Sequence, residues 1–252
     1  MLEKPRQYRA VIMGSSAKSA EEAWQLLPNS VASGSLTSRE KGAAAGRVLL
    51  GHFLSSTAYS ADEDLLQKIA IRRSGVVLYR YDVYVCEWRT NRSTMLAFLV
   101  PFSDMASEFF GAVDESTKST NRMYRRANLS AMTELLSGAG EIAGEFSATS
   151  AHFLLGGNDL VKGVRLVGEN VFASLYYRMI TAQLDGLTLD PKKLGLVYAH
   201  DQGSLTFSTD DCGNFWFRLG KNGEGINLLA SMFKSLEKSG LVDQVQDFPV
   251  SG

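Results

Sequence analysis

The chain has 252 residues, with 26 Lys+Arg against 27 Asp+Glu, so its formal net charge is −1. Hydrophobic residues make up 45% and charged residues 21%, with only 2 Cys and 5 Pro. This balance excludes a collagen-like fibre, a disordered tail and a disulfide-stapled mini-domain, and it leaves room for one large core or two small ones.

In chain order, Glu3, Lys4 and Arg6 are followed by no apolar run, so no secretory leader is read at the start. Residues 9–13 form a short apolar run suited to a strand, broken by Gly14-Ser15-Ser16. Ser19 offers an N-cap for a helix over 20–27, which Pro28-Asn29 ends. Thr37 and Glu40 have capping-box spacing and predict a helix to about Leu54, with Gly42, Gly46 and Gly51 admitting a close neighbour. Ser60 and Glu63 repeat that spacing and predict a helix over 61–71.

The clearest strand signal follows. Val77, Tyr79, Tyr81, Val83 and Val85 alternate with polar positions that include Arg80 and Asp82. A turn at 90–93 returns the chain antiparallel through the apolar run 95–100. Ser103 caps a helix to about Val113, and a second helix is expected from Lys118 to Leu136, stopped by Gly138. Residues 150–155 and 161–167 look extended, and 171–184 turns from extended to helical. The segments 194–199, 204–209 and 215–219 predict a meander. Ile226, Leu229, Met232, Phe233 and Leu236 share one face of a helix over 226–238, and Gly240 ends it.

The expected class is α+β, with antiparallel sheets and segregated packing helices. The organisation is either a single domain or two lobes, an N-terminal α+β lobe over 1–140 and a C-terminal one over 145–240, with a loose tail at 241–252. No stretch reaches the ~20 apolar residues of a membrane-spanning helix. Two distant cysteines, Cys86 and Cys212, suggest reduced thiols and a cytoplasmic setting.

Few residues carry a chemical signal. Gly14 to Ser19 has the strand–loop–helix setting of a phosphate-binding loop, but Ala17 and Ile12 stand where that motif needs glycines. Gly138, Gly140 and Gly144 have the wrong spacing for a dinucleotide fingerprint and follow a helix. Asp82 and Glu87-Trp88-Arg89 hint at a metal-dependent nuclease, yet strand parity sends Asp82 to the face opposite Glu87 and Arg89, which favours a cross-strand ion pair. His200-Asp201 and Asp210-Asp211 offer metal-like side chains but sit at opposite ends of an expected strand and cannot share one ion, and Cys212 lies in an acidic turn that makes it a poor nucleophile. His52, His152 and His200 match no metalloprotease spacing, and there is no Gly-x-Ser-x-Gly elbow. No catalytic residue, metal ligand or cofactor is assigned.

The most distinctive feature is basic. Between 116 and 133 there is no acidic residue, and Lys118, Arg122, Arg125 and Arg126 fall at i, i+4, i+7 and i+8. On a helix they form one cationic face able to meet a phosphate backbone or an acidic partner. The expected function is a non-enzymatic intracellular interaction subunit of a multi-protein assembly, with protein as partner and nucleic acid as a further candidate. The alternatives are a metal-dependent nuclease or hydrolase of phosphate esters, and a membrane-active, pore-forming protein built of amphipathic strands.

Overall fold

The computed structural model describes residues 6–15, 18–29, 31–38, 46–57, 70–73, 75–90, 93–101, 103–117, 123–138, 145–155, 163–183, 189–219 and 225–246. Two units emerge, Met1–Arg125 with Gln244–Ser251, and Arg126–Asp243.

In the first unit, β1 (Arg6–Ser15) leads through Ser19 into helix α1 (Ala20–Gln25). There follow β2 (Ala32–Ser38), β3 (Arg47–Ser55), β4 (Ala70–Arg73), β5 (Val76–Arg89), β6 (Thr94–Pro101) and helix α2 (Ser103–Thr117). The strand order is β2-β3-β5-β6-β1, with β4 beside β5. All these pairings are antiparallel. Odd residues of β5 (Tyr81, Val83, Val85) meet Val11, Met13, Leu49, Phe53, Leu96, Phe98 and Val100 beneath α1 and α2, as the alternation predicts. Phe109 of α2 is the hub, 5.4 Å edge-on from Phe53, 5.9 Å from Phe98 and 6.2 Å from Trp24.

Strand β7 (Met123–Ala127) leads into α3 (Leu129–Ser137), capped by Asn128, whose side chain accepts the Ala131 N–H at 2.9 Å. The second unit continues with β8 (Phe146–Leu155), β9 (Gly163–Val167), α4 (Leu175–Gln183), β10 (Leu189–His200), β11 (Gly203–Asp210) and β12 (Phe215–Leu219). A 3₁₀ turn (Ile226–Leu228) and α5 (Leu229–Lys238) close it, and the chain then passes through β13 (Val242–Val245), whose last two residues belong to the first unit. Its strand order is β12-β11-β10-β8-β9, again antiparallel. Phe233 of α5 packs edge-on against Phe215 and Phe217, at 5.4 and 6.1 Å.

The expected segregation into α+β is therefore corrected: antiparallel sheet dominates, and a few helices are interspersed among the strands. The difference lies in segments where extended chain stands in place of an expected helix. The helix expected from Thr37 to Leu54 is replaced by β2 and β3, because Val48, Leu49, Phe53 and Leu54 are buried as a strand. Gly51 is a point of close approach: an added Cβ would lie 2.5 Å from the Trp24 ring. The helix expected over 61–71 falls outside the described residues except at Ala70 and Ile71, which belong to β4. Of the helix expected from 118 to 136, residues 118–122 lie outside the described residues, 123–127 form β7, and Leu129–Ser137 are helical. The expected tail instead carries β13. Leu241 is buried, and its carbonyl accepts the Asn128 N–H at 2.9 Å.

Candidate functional site

Of the four basic residues, the structure describes Arg125 and Arg126, and these two are on a strand and not a helix. Lys118 and Arg122 lie outside the described residues. Arg125 and Arg126 are neighbours on β7, so their side chains leave opposite faces. Arg125 is buried and its guanidinium reaches the Met95 sulfur at 3.6 Å. Arg126 is exposed and donates to the Asp211 carbonyl. The helical stripe is corrected where it is described: at Arg125 and Arg126 the chain is extended, so the two cations do not share a helix face.

Glu87 takes the role of a strand-end ion pair. It sits directly opposite Arg47 in the β3–β5 register and is 5% exposed. Its carboxylate accepts the Arg47 guanidinium at 2.8 and 3.2 Å and the Ala20 N–H at 2.6 Å. Arg47 also donates to both Glu21 oxygens, at 2.9 and 2.7 Å. The hydrogen bonds it donates to Glu87 and then to Glu21 push the Arg47 guanidinium further above its ordinary value. At Glu21, burial opposes the charge, but the Arg47 bond, the Ser19 bond and its own backbone hold the carboxyl below its usual range. This cluster fastens α1 to the sheet, and Glu87 is fully engaged in it.

Asp82 is exposed on the other face, where His52 Nδ1 lies 3.1 Å from its carboxylate. Ser33 is directly opposite His52, so Ser33, His52 and Asp82 form a row across β2, β3 and β5. No hydrogen bond joins Ser33 to His52 among the described residues, and the row does not make a charge-relay geometry.

In the second unit, Lys192 bridges Asp190 and Asp211, each at 2.9 Å. Asp210 is a turn residue, accepting the Asn214 N–H at 2.9 Å. Burial, followed by the charges of Asp210 and Asp211, raises the Cys212 thiol. Both cysteines are free. No cluster of three or more His, Cys, Asp or Glu able to hold a metal occurs among the described residues.

Exposed apolar side chains stand out on two elements. Val167 of β9 is 73% exposed, and Leu175, Tyr176 and Met179 of α4 are 70%, 74% and 47% exposed. Helix α4 is held by its other side: Tyr177 packs edge-on against Phe172 at 4.9 Å and over Phe153 at 6.1 Å. Its start is capped by Ser174, whose hydroxyl accepts the Tyr177 N–H at 3.2 Å. Large side chains therefore leave both sides of one short helix. The signal was legible in Leu175-Tyr176-Tyr177 with Met179 and Ile180, a run apolar nearly all round between polar segments.

No protein-family model matches the chain, and no curated protein matches it. No helix among the described residues is long and apolar enough to cross a membrane.

Proposed function

We propose that the protein is a non-enzymatic interaction subunit whose partner is another protein, docked at the β9–α4 corner. The observation that carries this reading is the exposure of Leu175, Tyr176 and Met179 on a helix whose inner side is already packed. Covering such side chains gains about 25 cal/mol for each Å² removed from water, which makes an exposed apolar cluster a contact surface. Glu21, Arg47, Glu87, Asp190, Lys192 and Asp211 are engaged in internal ion pairs, which supports a binding role over catalysis. A cytoplasmic setting fits two free thiols, one of them exposed.

The test is co-purification from the native host, with and without nuclease, of the native chain and a Leu175→Asp, Tyr176→Asp, Met179→Asp variant. The expected result is a protein partner that survives nuclease and is lost with the variant. A partner retained by the variant refutes the surface, and one lost on nuclease treatment replaces protein by nucleic acid.

A further inference from the structure

Strand β9 is bonded to β8 and to no other among the described strands. Its register runs unbroken from Leu154 opposite Gly163 to Ser150 opposite Val167. A regular ladder on one side leaves a regular row of N–H and C=O groups on the other, the form an added strand requires.

The two faces of that edge differ. Val164 and Leu166 stand opposite Phe153 and Ala151, and Phe153 is the residue that Phe172 and Tyr177 cover. By alternation this is the face beneath α4, while Arg165 and Val167 belong to the other, beside His152. Arg165 and Arg178 are exposed cations with no carboxylate partner among the described residues. Among the described residues, the exposed carboxylate nearest to Arg165 in sequence is Glu169. Self-association is disfavoured by the same charge. Antiparallel pairing of two β9 strands about their midpoint would set Arg165 against Arg165, and like charges directly opposite destabilise a sheet.

We propose, resting on the interaction-subunit reading, that β9 is a docking edge for an extended segment of a partner protein in which apolar and acidic residues alternate. Backbone bonds to β9 supply the register, apolar side chains of the segment face α4, and its carboxylates face Arg165. A segment of about five to seven residues matches the strand.

The experiment pans a random-peptide library on the native protein, then measures selected peptides by fluorescence anisotropy against Arg165→Glu and Arg165→Gln variants. Unchanged far-UV spectra and melting temperatures check the fold of each, and Arg165→Gln serves if Arg165→Glu does not fold. Enriched peptides are expected to alternate apolar and acidic residues, and to lose about tenfold in affinity on Arg165→Glu and less on Arg165→Gln. Lysine-for-glutamate versions should then prefer the Arg165→Glu protein. Four results each overturn the proposal: no enrichment, apolar residues at helical spacing, enriched basic peptides, or affinity indifferent to residue 165. So does a concentration-dependent dimer, or binding to phosphatidylcholine–phosphatidylserine vesicles, that disappears in a Tyr176→Asp variant. If the partner captured from the host depends on α4 while no alternating peptide is selected, the subunit reading stands and the strand-docking proposal falls.

Discussion

Strands β2 and β9 each have one neighbour among the described strands, β3 and β8 respectively, but they treat the free side differently. Strand β2 gives Ala32 and Leu36 to the core and is otherwise polar (Ser33, Ser35, Thr37, Ser38), and its register against β3 slips between Ser33 and Thr37. The slip holds Gly34 at φ +71°, and the Gly34 carbonyl is taken by the Trp24 indole N–H at 3.1 Å. A bulged, polar edge with an occupied carbonyl is a poor template for another chain. Strand β9 has no slip and carries Val164, Leu166 and Val167. Its single charge, Arg165, repels a second copy without blocking an acidic strand. The difference separates an edge that is closed from one that is selective.

The largest expected effect comes from removing what closes β2. Trp24 is buried, fills the space over Gly51 and holds the bulge, so Trp24→Ala should lose about 3–5 kcal/mol in urea unfolding. It should also speed amide exchange across β2 while leaving β9 unchanged. Equal acceleration at both edges would show that the bulge does not depend on the indole.

Next is Glu87→Ala, which strands the Ala20 N–H and half of the Arg47 fork. Loss of a partner from a buried charged network costs 3–5 kcal/mol in full burial, and the partial exposure of Arg47 reduces this to about 2 kcal/mol. The same cluster sets an acid limit. Because the Glu21 carboxyl lies below its ordinary 4.5 in the folded chain, its contribution is complete above that value and is lost as pH falls through the lowered one. The urea midpoint should hold from neutral pH toward 4.5 and then drop, with a shallower drop in Glu21→Gln. A drop equally steep in that variant would assign the acid limit to other carboxylates.

Gly34→Ala isolates the backbone part of the contrast. Nothing lies within 4 Å of a Cβ built there, so the cost is that of a left-handed conformation alone, about 1 kcal/mol. A neutral result, read by the same unfolding curve, would mean that β2 can relax out of its bulge.

How much of this was readable without coordinates depends on which force decides each segment. The β5–β6 hairpin and the α5 face follow from periodicity, because each buries one side and the pattern records it. Residues 47–55 do not: Val48 and Leu49 are both buried, so alternation is erased, and the run of small residues before it imitates a packed helix. At 118–126 the i, i+4 spacing of cations was a property of sequence alone, and extended backbone at 123–127 decided otherwise. The Glu87–Arg47 pairing was foreshadowed by parity along β5. Its partner was not, because cross-strand register is set by long-range pairing rather than local sequence.

The smallest expected stability change is also the sharpest separation of folding from docking. Tyr176 and Val167 are among the most exposed large apolar residues described, so replacing each by Ser or Thr removes little packing. Surface changes of this sort shift stability by no more than about 0.5 kcal/mol. Tyr176→Ser and Val167→Thr should therefore leave unfolding curves superimposable on the native one. Tyr177→Ser, one residue along the same helix, should shift them clearly, because its ring sits between Phe153 and Phe172. If Tyr176→Ser destabilised the fold as much as Tyr177→Ser, the outward side of α4 would be serving the protein's own core, and no apolar surface would remain for a partner to cover.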